Sequence, residues 1–119
     1  DDAIYGGARL LGLLAAGKKP LSAHFADIPE RFSTPELEFS CPDSKKFDVI
    51  KKATAYFKDT LKLNVVTIDG ARIEFPDGWG LLRASNTAPK LVMRVEADTK
   101  KRMAEIEKLI RDQLAELTG

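Results

Sequence analysis

The stretch Gly78–Arg94, GWGLLRASNTAPKLVMR, gathers side chains able to hold an anion. Arg83 carries a planar guanidinium fork that matches phosphate or carboxylate. Ser85 and Thr87 add hydroxyl donors, and Asn86 adds an amide. Successive backbone N–H groups in such a turn can converge into an anion nest. The same residues also suit an ordinary surface loop, because Ser, Asn and Thr favour turns through their own local hydrogen bonds. Residue types alone leave both readings open.

Other reactive groups have less support around them. His24 lies in the linker among Pro20 and Pro29 with no catalytic or metal partner in view, so nothing positions it as a base. Cys41 stands at the end of an apolar run beside Pro42 and reads as a small buried side chain rather than a nucleophile. Asp69 precedes Gly70 and reads as a turn residue. Trp79 between two glycines reads as core. Lys45, Lys46, Lys51 and Lys52 form a basic run that reads as the solvated face of a helix, since no aromatics interleave it.

The elements that must carry the loop follow from periodicity. Ile4, Ala8, Leu11 and Ala15, widened by Leu10 and Leu14, predict a helix over residues 2–16, with Asp1 and Asp2 at its positive end. Residues 18–34 read as a linker holding one short helical turn. Leu37 and Phe39 alternate with Glu36, Glu38 and Ser40, predicting a half-exposed strand over 35–41. Pro42-Asp43-Ser44 then opens a helix over about 44–58 with Phe47, Ile50, Thr54 and Phe57 inward. Asp69-Gly70 joins strands 63–68 and 71–75 as a tight hairpin with positive φ at both turn residues. Pro76-Asp77-Gly78 leads to a strand at 79–82, and another follows at 91–96. Asp98-Thr99 caps a last helix with Met103, Ile106, Ile110, Leu114 and Leu117 as its stripe. The expected fold is α+β: a four-stranded, mainly antiparallel sheet with two helices packed on one face, plus an N-terminal helical stub.

With 119 residues, 44% hydrophobic and 31% charged, one soluble core is expected without a metal or disulfide staple. Nineteen basic against eighteen acidic residues give a charge of +1, which argues against a dedicated nucleic-acid binder. One cysteine and one histidine exclude a disulfide within the chain and a multi-histidine metal cluster. No apolar run nears the roughly 20 residues of a membrane span. A reducing, cytoplasmic setting is expected, and a chain that opens on Asp1 is expected to be a piece of something larger.

Arg83-Ala-Ser-Asn-Thr-Ala-Pro89, preceded by Asp77-Gly-Trp-Gly80 and followed by Leu91-Val-Met-Arg-Val-Glu-Ala97, resembles the C-terminal domain of the α-D-phosphohexomutase superfamily, in its bacterial phosphomannomutase/phosphoglucomutase branch. Thr67-Ile-Asp-Gly-Ala-Arg72 is similar to that family's hairpin, Asp1–Leu11 to the helix closing the preceding domain, and Ser33-Thr-Pro-Glu36 to the interdomain junction. The resemblance implies residues 1–25 as the end of a preceding domain, 26–34 as linker and 35–119 as a phosphate-binding domain. It implies that Arg83, Ser85, Asn86 and Thr87 grip the sugar phosphate that is not being transferred, with Arg94 supporting loop or ligand. Ala88 departs from the Glu or Thr common there.

The family's phosphorylated serine, its magnesium-binding aspartate loop and its sugar-recognition loop have no match in this chain. The resemblance therefore implies no catalytic residue and no cofactor here, and Mg2+ in the full-length enzyme. It implies as partners a phosphosugar and three N-terminal domains, with no nucleic acid and no membrane. The residues that choose mannose or glucose would also lie in those domains. The competing reading is a free-standing α+β module binding nucleic acid or protein through its sheet or lysine helix.

Overall fold

A computed structural model describes residues 2–118, so Asp1 lies outside the described residues. The chain divides into two compact units, Asp1–Glu30 and Arg31–Gly119.

The first unit is a helix and a turn. Helix α1 runs Ala3–Ala16; Asp2 caps it by accepting from the Tyr5 amide at 2.8 Å, and the Gly17 amide closes it on the Leu13 and Leu14 carbonyls. After Pro20 a single 3-10 turn, Leu21–His24, follows. Leu10, Leu13 and Leu14 line a shallow apolar hollow with Leu21, His24 and Phe25. The expected stripe is thus only partly right: Ile4 and Leu11 stand in the open, and no residue of α1 is buried.

The second unit is an antiparallel sheet with two helices on one face. Its strands are β1 Phe32–Ser33, β2 Leu37–Ser40, β3 Asn64–Val66, β4 Ala71–Phe75, β5 Gly78–Ala84 and β6 Lys90–Ala97. The order across the sheet is β1-β6-β5-β4-β3, and β2 pairs with β6 as well. All pairings are antiparallel. Six segments therefore stand where a four-stranded sheet was expected; β1, two residues long, is the one that falls outside the strand segments marked by the sequence pattern.

β1 and β2 are one edge interrupted by a bulge. Ser33 pairs with Glu96 and Leu37 with Met93, so four steps on one side oppose three on the other. Thr34 bridges the gap: its amide donates to the Val95 carbonyl at 2.9 Å and its Oγ1 accepts from the Val95 amide at 3.1 Å. The hydroxyl thus stands in for a backbone carbonyl as the acceptor of the Val95 amide at the bulge.

Helix α2 spans Asp43–Ala55 and continues into one π turn, Tyr56–Thr60; helix α3 spans Lys100–Thr118. Val49, Ala53 and Phe57 from the first, and Ile106, Ile110 and Leu114 from the second, close over Ile73, Leu82, Leu91, Met93 and Val95. The α3 stripe is the expected one, and Thr99 Oγ1 caps it by accepting from the Arg102 amide at 3.1 Å. Arg102 Nε also donates to Asp77 Oδ1 at 2.9 Å, which ties the β4–β5 turn to α3 and raises the guanidinium pKa above its usual value.

In α2 the expected inward face is turned by about one residue. Lys46, Val49 and Ala53 are buried, whereas Phe47 is 61% exposed. Small residues let the helix lie close to the sheet, and Lys46 finds acceptors there. The helix also starts at Asp43 on Pro42, with no side-chain cap bond.

The uncovered helix α1 generates a prediction. A helix of fourteen residues is marginal in water without packing. Its amides are expected to exchange with solvent orders of magnitude faster than those of β6; equal protection over residues 4–14 and 91–96 would contradict this reading.

Candidate functional site

Strand β5 alternates. Gly78, Gly80, Leu82 and Ala84 face the helices and are buried; Trp79, Leu81 and Arg83 face the other way. Its register with β6 puts Arg83 opposite Val92 and Leu81 opposite Arg94. Arg83 and Arg94 are therefore diagonal neighbours on the open face, within reach of long side chains. Arg72 joins the same row, opposite Leu81 on its other side. Its guanidinium stacks 4.2 Å from the centre of the Trp79 ring and bonds Glu74. Trp79 is thus half-buried on the open face and not in the core, because the residues on either side of it, Gly78 and Gly80, occupy the inward positions.

The loop Ser85–Pro89 closes β5 onto β6. Its base is fixed by the Ser85 amide donating to the Lys90 carbonyl at 3.0 Å and the Lys90 amide donating to the Ala88 carbonyl at 2.8 Å. Ser85 is buried, and its Oγ accepts from the Thr87 amide at 3.3 Å and lies 3.5 Å from Thr87 Oγ1. Asn86 and Thr87 are exposed at the tip. Among the described residues the Asn86 and Ala88 amides bond no protein acceptor. The structure therefore brings Ser85, Asn86 and Thr87 together in one turn, with Arg83 two residues before it on β5. Arg94 stands on the open face, exposed and without a carboxylate partner among the described residues.

Two residues of this arrangement make contacts that escaped sequence reading. Lys46, taken there as part of a wet helix face, is buried behind the loop. Its Nζ donates to the Ser85 carbonyl at 2.6 Å and the Ala88 carbonyl at 3.3 Å, and lies 2.6 Å from Asp43 Oδ1. Lys52 pairs instead with Asp48 at 2.7 Å, so the four lysines do not form one face. The available signal was the Lys46–Val49–Ala53–Phe57 spacing, masked by the larger Phe47.

The second residue is Gly70. The hairpin before β4 is wider than a two-residue turn: β3 ends at Val66, Val66 pairs with Arg72, and Ile68 is 93% exposed. Of the two turn residues Gly70 has positive φ, at 82°, and Asp69 does not. A Cβ on Gly70 would sit 2.7 Å from Arg83 Cβ and 2.8 Å from Arg83 Cα. That close approach sets Asp69 Oδ2 3.7 Å from Arg83 Nη1.

The remaining candidates stay minor. His24 is exposed in the first unit, and Cys41 is buried. Among the described residues no group of three His, Cys, Asp or Glu side chains could hold a metal ion.

The site is thus a donor-rich hairpin loop, buried at its root and open at its tip, carried on an α+β sandwich. Residues 36–113 match the family described as phosphoglucomutase/phosphomannomutase, C-terminal domain, and the chain belongs to that family. A phosphoglucomutase of Neisseria gonorrhoeae is 49% identical over 100 residues, covering 83% of this chain and 22% of that protein. A phosphomannomutase/phosphoglucomutase of Pseudomonas aeruginosa is 40% identical over 116 residues, covering 96% of this chain and 24% of that protein. A crystal structure of a phosphoglucomutase/phosphomannomutase family protein from Burkholderia thailandensis superposes with a TM-score of 0.73 at 43% identity, covering 98% of this chain and 24% of that one. The chain spans 22–24% of the length of these relatives.

Gly70 carries the prediction here. Gly70→Ala forces an L side chain into positive φ and against the Arg83 backbone, for an expected loss of about 2–4 kcal/mol. Urea unfolding measures the loss, and the amide spectrum should show its largest changes at Arg83 and Ala84. A neutral substitution would mean that the hairpin does not press on β5.

Proposed function

We propose that Arg83, Ser85, Asn86 and Thr87, with Arg94 beside them, bind the phosphate of a phosphosugar that is not being transferred. The setting is a mutase that interconverts hexose 1-phosphate and hexose 6-phosphate, of mannose or glucose, through a bisphosphorylated sugar. Family membership supports the setting. The observation that carries the site is the set of donors the loop gathers: the exposed Asn86 and Thr87 side chains, the Asn86 and Ala88 amides that bond no protein acceptor among the described residues, and the Arg83 fork two residues before the turn, with the Ser85 hydroxyl 3.5 Å from that of Thr87.

On this reading residues 1–25 end the preceding domain, 26–34 form the junction and 35–119 are the phosphate-binding domain. The chain's part of the reaction is to bind and orient. A dianion at the tip takes charge-assisted bonds from the Arg83 fork and neutral bonds from the hydroxyls and amides. Such a grip reads the phosphate and not the sugar carbon bearing it. One loop can therefore hold the 6-phosphate in one half-reaction and the 1-phosphate in the other. When the three other domains close over the ligand, water leaves and each bond strengthens. Magnesium belongs on this reading to those other domains; among the described residues of this chain no carboxylate cluster fits it. Among the described residues no helix is long and apolar enough to cross a membrane.

An NMR titration with inorganic phosphate tests the loop. The expected dissociation constant is roughly millimolar, about −4 kcal/mol, with shifts centred on residues 83–87. Arg83→Ala should remove most of the affinity, and Arg83→Lys should restore only part, because a point charge replaces a fork. Arg94→Ala should weaken binding less, and Lys51→Ala should leave it unchanged at moderate salt. Undiminished binding by Arg83→Ala would refute the assignment.

The 119-residue chain should also show no mutase activity. Conversion of mannose 1-phosphate to mannose 6-phosphate by material free of host mutase would place catalytic groups within this chain and overturn the binding-only role.

A further inference from the structure

Lys46 is 5% exposed, and three oxygens surround its ammonium: the Ser85 carbonyl, the Ala88 carbonyl and Asp43 Oδ1. Its three protons thus have three acceptors. A buried ammonium is costly even when paired, and an apolar side chain could fill the space between helix and sheet without that cost. What the ammonium adds is the direction of two carbonyls. In a planar trans peptide the C=O and the following N–H point opposite ways. With the Ser85 carbonyl drawn inward to Lys46, the Asn86 N–H is turned away from it, toward the loop tip. The Ala88 carbonyl is held at the other end of the loop, where Pro89 has no N–H to turn. Carbonyl oxygens would repel a dianion, and both are held behind the loop. The Asp43 carboxylate opposing this charge is mostly in solvent, with 69% of its side chain exposed, so water screens it.

Resting on the phosphate-binding reading above, we propose that Lys46 is the positioning residue of the phosphate loop. It aims the Asn86 amide at the ligand and sets a positive charge behind the bound dianion.

The experiment is a titration of the 119-residue chain with inorganic phosphate, read from backbone amide shifts, using the parent chain, Arg83→Ala, Lys46→Met and Lys46→Gln. Lys46→Met should bind about tenfold more weakly and lose the phosphate-induced shift of the Asn86 amide. Lys46→Gln retains an N–H donor for the Ser85 carbonyl but no charge. It should keep the Asn86 shift and bind about threefold more weakly than the parent. A role limited to packing would not separate Gln from Met in this way. Parent-like binding by Lys46→Met, or a Gln variant no better than Met, overturns the inference. If Lys46→Met does not fold, Lys46→Gln decides: weakened binding with the Asn86 shift kept supports the inference, and any other result overturns it. Loss of binding in Arg83→Ala together with parent-like binding in Lys46→Met would remove this inference and leave the phosphate loop standing. A parent chain that binds no phosphate removes both.

Discussion

The seven pairs that join β5 to β6, from Gly78↔Ala97 to Ala84↔Leu91, constrain the remainder of the second unit. They decide which side chains face the helices and which face out, because side chains alternate along a strand. A slip of one residue would send Arg83 or Arg94, whichever strand moved, into the apolar layer and bring Leu82 or Met93 out of it, which hydrophobic burial forbids. The ladder is locked from the helix side. Gly80 leaves the space that Ile110 of α3 occupies, and Gly78 lies against the backbone of Glu96 and the side chain of Ala97. Since the pairing ends at Ala84 and Leu91, the chain between them has to turn within a few residues. The loop's donors are therefore held by the most tightly registered part of the sheet.

The second constraint comes from behind. A hairpin loop carries as many carbonyl oxygens as amides, Pro89 apart, so it has no intrinsic preference for an anion. Asymmetry must be imposed. The Ser85 hydroxyl works against it, since it accepts the Thr87 amide within the loop, a local turn that Ser forms readily. Lys46 takes two carbonyls from the far side, a contact across 39 residues of sequence in the first case. Among the described residues no buried side-chain polar atom is left without a partner, so the root of the loop is satisfied while its tip is not.

This division explains what the sequence could show. The α3 stripe was legible because one face of a long helix repeats over five turns, and the loop residues were legible because their types are unusual together. The α+β class followed from the order of elements. What failed depended on contacts between distant segments. Lys46 reads as solvated because lysine usually is; the carbonyls of Ser85 and Ala88 and the Asp43 carboxylate supply the acceptors that let it be buried. Trp79 reads as core because tryptophan is large and apolar; only the registration of Gly78 and Gly80 against β6 and α3 puts it outside. Asp69-Gly70 reads as a two-residue turn, yet the Gly70 contact with Arg83 pulls the hairpin tip across the sheet and widens it. β1 is two residues long, too short for alternation to register at all.

The Asp69–Arg83 pair bears on how such a loop could stay ready for an anion. At 3.7 Å, with the Asp69 side chain 67% exposed, the two charges attract through water, and exposed pairs of this kind contribute about 0–1 kcal/mol. Charge-assisted bonds from a guanidinium fork are stronger and come in pairs. A phosphate dianion can therefore replace the carboxylate at little cost, whereas a neutral ligand offers Arg83 nothing to exchange. The pair also limits where the guanidinium can wander when no anion is present, since Asp69 is held in place by the Gly70 contact under it. Pre-ordering of a long side chain by a weak partner reduces the entropy lost when the strong partner arrives. On the phosphate-binding reading the hairpin before β4 thus serves the loop after β5, although β4 and β5 both lie between them along the chain.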